Sequence, residues 1–322
     1  MYFTKEDYNK IVSLPWNIKV QKTIASIINF KNQSDCYVSL SGGKGSTVLA
    51  DIVKRFDLDI PCVCVPSCEE KENIQITLNY DTTYVNGKYT MREIITNYGY
   101  PMINKQVAMA VSRHHRTKLE SQKHFRLYGK IKDGKHLKVG TIPKKYHFMI
   151  YAPFEISEQC CDFRKKKPLK KYAKENNRLP TTGEMATESQ KRGQLYRKHG
   201  CIQEGKKCTP MGSWNDSDLD AYIKKYNVQI SELYVNNESQ RTGCPECGFG
   251  ILEQQEKYNK IKNTRKREQI LNGGQWTRKD IYRWVRFRHG SILIWSNLYW
   301  TPSDEGLGTN FVLKYIIEGV SR

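Results

Sequence analysis

The sequence predicts an α/β protein with a parallel sheet covered by helices, and three observations carry that prediction. Residues 36–40 form a short apolar strand, residues 48–53 resume helical periodicity just after a glycine-rich turn, and residues 60–65 form a second apolar strand. Strand, helix and strand in that order imply a crossover, which makes the two strands parallel.

Taken in order, residues 17–30 place Ile18, Ile24, Ile27 and Ile28 a helical turn or a multiple apart, as an amphipathic helix requires. The strand Cys36-Tyr37-Val38-Ser39-Leu40 runs into Ser41-Gly42-Gly43-Lys44-Gly45-Ser46-Thr47 and then into the helix. Ile60 to Val65 follow after a short link. From Arg113 to His147 the chain carries eleven Lys/Arg and five of its seven histidines, with only Glu120 and Asp133 as acids, and reads as an irregular or hairpin-like basic insertion. A Lys-rich helix is expected over 162–176, a turn at Leu179-Pro180, and a helix over 214–226 with Asn215, Asp216 and Ser217 near its start. Residues 257–289 are again basic, and four of the six tryptophans lie in or just beyond them. The expected organisation is a nucleotide-binding core over 1–156 with its insertion at 113–147, a cysteine-containing region over 157–256, and a basic, aromatic region over 257–322.

Composition bounds the function. With 322 residues, 38% of them hydrophobic and 27% charged, the chain has material for a core, which excludes wholesale disorder. No apolar run approaches the ~20 residues that span a bilayer, and Met1 to Asn9 lead into no signal-type region, so the expectation is a cytoplasmic protein with no membrane partner. Ten clustered cysteines suggest metal ligation in a reducing compartment rather than a disulfide scaffold. A net charge of +20 attracts polyanions, from a nucleotide to tRNA or DNA.

The turn after the first strand carries the most chemistry. A strand that ends in Ser-Gly-Gly-Lys and opens a helix aims successive backbone N–H groups at one point, where an oxyanion sits at the positive helix end. Ser41, Ser46 and Thr47 add hydroxyls and Lys44 adds charge. The spacing is not that of a Walker loop.

VSLSGGKGSTVLADIV resembles the PP-loop, SGGKDS, of the ATP-pyrophosphatase superfamily. Further segments narrow the resemblance to the phosphoadenosine phosphosulfate reductase family: Phe154 to Cys161, Lys165-Lys166-Lys167-Pro168, Gly183 to Ser189, His199-Gly200-Cys201, Trp214 to Asp218, Arg241 to Gly250, and Gly306-Leu307-Gly308 before Val312-Leu313. They occur in the family's order along nearly the whole chain. The resemblance implies a Rossmann-like domain of the adenine nucleotide α-hydrolase kind, with helices on both faces of the sheet. Ser39, Ser41, Gly42, Gly43, Lys44, Gly45, Ser46 and Thr47 would hold ATP with Mg, Val65 would lie near adenine, and Glu70 aligns with the acid of the following loop. Glu188, Ser189 and Arg192 occupy a segment similar to the family's substrate-facing loop, and Lys165 is assigned to the same substrate-facing set; capping and solvation of a helix accounts equally for Glu188, Ser189 and Arg192. Two departures stand out. Gly45 replaces the motif's Asp, which leaves open lost turnover with retained binding, or a replacement that traps the bound state; and Pro66-Ser67-Cys68 replaces Asn-Thr-Gly.

Cys160-Cys161 and Cys244-Pro245-Glu246-Cys247 supply four thiolates, the number a 4Fe-4S cluster or a tetrahedral zinc needs. Neighbouring side chains diverge, which a larger cluster tolerates better than one zinc ion. Cys160 to Leu169 also resembles the cluster-binding segment of adenylyl-sulfate reductases. A 4Fe-4S cluster is therefore the expected occupant, with zinc or uncoordinated thiols as alternatives, and Arg164 and Lys165 would tune a cluster by their charge. Cys201 and Cys208 are a redox pair or ordinary thiols.

Family members that make sulfite use a nucleophilic cysteine near the C-terminus, and none follows Cys247 here. The leading expectation is thus ATP cleavage between the α and β phosphates, with Lys44, Ser46 and Arg192 as catalytic groups and the adenylylated substrate passing to sulfur transfer from a donor protein, on DNA or tRNA as candidate substrates. The rivals are a sulfonucleotide reductase and a non-catalytic nucleotide or nucleic-acid binding protein. The basic flanks, with Tyr282, Trp284, Phe287 and His289 for stacking, are a candidate nucleic-acid track, or else core tryptophans beside solvated lysines. The histidines of the insertion lack metal-ligand spacing.

Overall fold

The structure is a computed structural model, and it describes residues 3–102, 104–132, 134–152, 154–235, 244, 248 and 249. The expectations placed on Cys247, on residues 257–289 with their stacking aromatics, and on the Gly306-Leu307-Gly308 segment lie outside the described residues. The chain forms two compact units. The described residues of the first run from Phe3 to Lys88 and from Arg164 to Val235, with Cys244; those of the second run from Tyr89 to Phe163, with Gly248 and Phe249.

In the first unit two helices, α1 (Lys5–Val12) and α2 (Trp16–Gln33), precede strand β1 (Cys36–Ser39). Helix α3 (Lys44–Arg55) then crosses to β2 (Cys62–Cys64), parallel to β1 with Val38 opposite Cys62 and Ser39 opposite Val63. The predicted strand–helix–strand unit is present. Helix α4 (Lys71–Thr77) leads to β3 (Thr82–Tyr84), parallel to β2.

The second unit packs helices α5 (Met91–Tyr98), α6 (Lys105–Arg116) and α7 (Glu120–Tyr128) with a two-stranded ribbon, β4 (Lys130–Lys132) and β5 (Lys135–Leu137), and a 3-10 segment over Lys144–Tyr151. Ile94, Met102, Val111, Met149 and Ile156 form its core. The hairpin expected in the basic insertion is thus one part of it, and α7 forms where an irregular segment was the reading.

The chain returns to the first unit through α8 (Lys167–Glu175), entered by a π-type turn over Asp162–Lys166, and β6 (Leu179–Thr181). The turn expected at Leu179-Pro180 is instead this strand, paired with Cys36 to Val38 of β1. Proline is tolerated there because the Leu179 amide donates toward β1, to the Asp35 carbonyl, so the Pro180 nitrogen faces the other side, where β8 pairs only at Thr181. Helix α9 (Gln190–His199), strands β7 (Ile202–Gln203) and β8 (Lys207–Cys208), α10 (Asp216–Tyr226) and α11 (Glu232–Val235) complete the unit. The six-stranded sheet runs β3-β2-β1-β6-β8-β7, with only the β7–β8 pair antiparallel.

Alternation along the strands explains the two layers of helix. Cys36, Val38 and Cys62 pack with Ile27 and Phe30 of α2, Leu49 and Ile52 of α3 and Leu219 and Tyr222 of α10. Tyr37 and Val63, one residue out of phase, pack against Tyr172 of α8 on the other face. Within α2 the buried stripe is Val20, Thr23, Ile27 and Phe30; Ile18 and Ile28, expected on the apolar face, are exposed. The aromatic Phe30 and the 3.6-residue period from Val20 set the buried arc, and Ile28 falls outside it.

Candidate functional site

Strand β1 is where the chain order reverses, with β2 and β3 on one side and β6 on the other. In parallel sheets ligands settle outside the carboxyl ends of the strands at such a switch point. Ser39 ends β1, Val65 directly follows β2 and is buried, and the Ser41 to Thr47 turn lies between β1 and α3.

The turn is braced from within. The Ser41 amide donates to Ser46 Oγ at 3.2 Å, the two seryl oxygens lie 3.1 Å apart, and Ser46 Oγ donates to the Gly43 carbonyl at 3.0 Å. Gly42 has φ +71°, a conformation side chains disfavour, and an added Cβ would run into the backbone of Asn73. Gly43 is the N-cap of α3 and its carbonyl takes the Thr47 amide at 2.9 Å, so the amides of Lys44, Gly45 and Ser46 have no partner within the helix. These amides, at the positive end of a 12-residue helix, make an anion seat. Thr47 is different: it is fully buried, and its hydroxyl faces inward without a partner rather than toward a ligand.

Lys44 Nζ reaches Asp220 Oδ1 of α10 at 3.2 Å and lies 5.5 Å from the centre of the Tyr234 ring. Both members of the ion pair are part-exposed, so a phosphate can take the ammonium from Asp220 at little cost.

Gly45 has a structural explanation. A Cβ there would lie 2.6 Å from the Gly183 carbonyl oxygen, and a Cβ on Gly183 would collide with the Gly45 carbonyl in turn. The two glycines let the loop after β6 press backbone to backbone against the anion seat, and a carboxylate side chain has no room at that position. Nothing in this packing needs an introduced substitution.

The same loop carries Glu184, Glu188 and Ser189, and the first turn of α9 carries Arg192. Arg192 pairs with Glu188 and lies 3.7 Å from Glu184, while Lys207 donates to Glu184 at 2.8 Å. Ser189 Oγ accepts the Arg192 amide at 3.3 Å and caps α9, and Glu188 takes the Met185 amide at 3.2 Å. Capping thus accounts for Ser189 and part of Glu188. The guanidinium of Arg192 lines a small cleft with Glu184, Tyr196, Gln203 and Lys207.

Beyond β2, the expected acid Glu70 is the N-cap of α4, and its neighbour Glu69 is the buried one. Glu69 Oε1 accepts from Lys165 Nζ at 2.6 Å. Burial pushes the Glu69 carboxyl up and the Lys165 ammonium only partly offsets this; burial opposes the Lys165 charge, but Glu69 and the nearby thiols outweigh it and hold that amine above its ordinary value. Lys165 is therefore tied to the segment that follows β2. Arg164, also buried, donates to the Ser67 carbonyl and to Cys244 Sγ, the latter at 3.4 Å. Cys68 shares a hydrogen bond with Cys244, and that bond, then Arg164 and Lys165, lowers its thiol against the opposing effect of burial.

Sequence reasoning missed Cys68, Glu69, Asp220 and Gly183 as members of this site. The only local signal was the replacement of Asn-Thr-Gly by Pro66-Ser67-Cys68; Glu69 and Lys165 lie 96 residues apart.

Of the four expected metal ligands, Cys160 and Cys161 lie in the second unit, Cys244 in the first, and Cys247 outside the described residues. Cys160 Sγ and Cys161 Sγ are 3.9 Å apart, so adjacency has not splayed them; two thiolates on one tetrahedral ion with ~2.3 Å bonds sit about 3.8 Å apart. Among the described residues no three His, Cys, Asp or Glu side chains converge on a metal position. Cys201 and Cys208 belong to the first unit: Cys208 is fully buried, and burial pushes its thiol well above the ordinary range, which favours an inert thiol over a redox partner. No helix among the described residues is long and apolar enough to cross a membrane.

Comparison with known proteins bears on the family. Adenosine 5'-phosphosulfate reductase of Burkholderia cepacia is 26% identical over 102 residues, which are 31% of this chain and 40% of that protein. The chain thus matches less than half the length of that relative. A crystal structure of phosphoadenylyl-sulfate (PAPS) reductase from Candida auris, a phosphate complex, aligns over 76% of this chain and 97% of that one, at 12% identity and a TM-score of 0.39. At that score the fold rests on this chain's own sheet rather than on the likeness. Residues 35–248, more than half of the 322, match the phosphoadenosine phosphosulfate reductase domain, and the chain belongs to that family.

Proposed function

We propose that the first unit binds ATP, or a related adenine nucleotide, at the Ser41 to Thr47 turn and cleaves it between the α and β phosphates. A substrate oxygen attacks the α-phosphorus and pyrophosphate leaves; a sulfide-level sulfur from the donor protein then displaces the activated oxygen, which leaves in AMP. The observation that carries the reading is the set of unpaired amides of Lys44, Gly45 and Ser46 at the head of α3, outside the switch point of the sheet. Lys44, released from Asp220, would neutralise the departing pyrophosphate, and Ser46 would keep the turn in its seat-forming shape. Arg192, exchanging Glu188 for an anionic group, would hold the acceptor. Gly45 offers no carboxylate, so Mg would ride on the phosphates themselves.

For the thiols, the same reading takes Cys160, Cys161, Cys244 and Cys247 as holders of a 4Fe-4S cluster, with zinc as the alternative. A cluster would supply redox or sulfur-relay chemistry when bound. The guanidinium of Arg164 on Cys244 Sγ suits an anionic sulfur, which either metal centre requires.

The test uses anaerobically purified full-length chain with its iron, zinc and sulfide content measured. Incubated with α-labelled ATP, Mg and nucleic acid, it should release pyrophosphate, and Lys44→Ala should reduce the release at least a hundredfold. Sulfite from adenylyl sulfate or its 3'-phosphorylated form, without pyrophosphate from ATP, would replace this reading by sulfonucleotide reduction. Tight ATP binding with neither product would make the site a binding site only.

A further inference from the structure

The ribbon of the second unit carries charge that the fold does not use. All six residues of β4 and β5 are exposed, and they pair Lys130 with Leu137, Ile131 with His136, and Lys132 with Lys135. Opposed residues of an antiparallel pair share a face, so Lys130, Lys132, Lys135 and Leu137 lie on one side and Ile131 and His136 on the other. Like charges directly across a pair are destabilising, and Lys132 faces Lys135. Among the described residues, none of Lys130, Lys132, Lys135, Lys138 and Lys144 has a carboxylate partner, whereas Lys123 nearby is paired with Glu120 at 2.7 Å. His136 Nε2 meets the Tyr128 carbonyl at 2.7 Å, which ties the opposite face of the ribbon to the end of α7 and leaves the lysine face outward. Lys130, Lys132 and Lys135 thus crowd one exposed face of the ribbon, and among the described residues no carboxylate pairs with them.

We propose that this lysine face is a docking surface for B-form duplex DNA. Its counter-charge would be phosphate, and a two-stranded ribbon fits a B-form major groove about 12 Å wide, while the deep, narrow groove of A-form RNA excludes it. A membrane surface calls for a broad apolar face, and among the six paired residues the lysine face holds Leu137 as its one apolar side chain, with Ile131 on the opposite face. The proposal does not depend on the nucleotide reading: it concerns the second unit, and its measurement needs no ATP.

The experiment is fluorescence anisotropy of a labelled 20-base-pair duplex with the full chain, without nucleotide, between 50 and 200 mM salt. The triple variant Lys130→Glu, Lys132→Glu, Lys135→Glu should bind at least tenfold more weakly. Its milder form, all three to Gln, should lower the slope of log K against log salt by about 2.7, from ~0.9 per neutralised phosphate. A control with equal charge change, Lys170→Glu, Lys174→Glu, Lys224→Glu in the first unit, should lose less than threefold. Equal losses in ribbon and control variants would overturn the proposal, as would unchanged binding by the ribbon variants. Ribbon-dependent binding that prefers duplex RNA or phosphatidylserine vesicles over DNA would overturn it too.

Discussion

Gly45 and Gly183 show how a single atom decides a site. The family resemblance led to an Asp at position 45, and the missing carboxylate pointed to lost or trapped chemistry. The structure gives a packing reason instead, because the Gly183 carbonyl stands 2.6 Å from where a Cβ would go. Gly45→Ala is therefore expected to destabilise the first unit by about 1–3 kcal/mol, the usual cost of overpacking, and Gly183→Ala to do the same. Denaturant unfolding followed by tryptophan fluorescence measures this; an unchanged midpoint for both would remove the close contact. Gly45→Asp should weaken nucleotide binding rather than restore turnover. The seat itself was legible from the spacing of Ser41, Gly42, Gly43 and Lys44. Its partners Asp220, Glu69 and Gly183 were not, since each reaches the site from a distant segment and has no neighbour in sequence that marks it.

Among the elements, caps and periodicity carried the reading furthest. Asn215 begins α10 by a reciprocal pair of bonds with Asp218, as its position before that helix suggested. Helix α5 starts in the same way: Glu93 Oε2 accepts the Thr90 amide at 2.7 Å and the Thr90 hydroxyl at 2.9 Å. The Thr90 amide bond first, then the hydroxyl bond, holds the Glu93 carboxyl below the usual 4.5. A depressed carboxyl stabilises the folded state above its unfolded value, and that contribution fades as pH falls through the lower folded value. Glu93→Gln should accordingly lower the melting temperature at neutral pH and leave it unchanged in acid beyond that window. A difference between variant and parent that stays constant across the whole range would contradict the assignment. Where periodicity misled, a competing signal was stronger. The turn residue Pro180 hid β6, which parallel pairing with β1 imposes, and charge density hid α7.

At the scale of the molecule, buried polar pairs tie together segments far apart in the chain. Lys19 of α2, almost wholly buried, donates to Asp218 of α10 at 2.6 Å and to the Val12 carbonyl at 2.6 Å. Removing one partner of such a pair strands the other, so Lys19→Met should cost about 3–5 kcal/mol in the unfolding of the first unit. A loss under 1 kcal/mol would show that Asp218 is served well enough by the Asn215 amide alone. The sequence by itself determined the strand–helix–strand start, the anion-seating turn, the family and the excess of positive charge, because each is written in residues close together, where backbone geometry and side-chain period act locally. Only the tertiary structure decided that Gly45 is spared a side chain by Gly183, that Glu69 rather than Glu70 is the buried acid, that Cys68 joins Cys244 under Arg164, and that Lys130, Lys132 and Lys135 share one exposed face of a ribbon. Those outcomes depend on which segments meet across the fold, and sequence distance carries no record of such meetings.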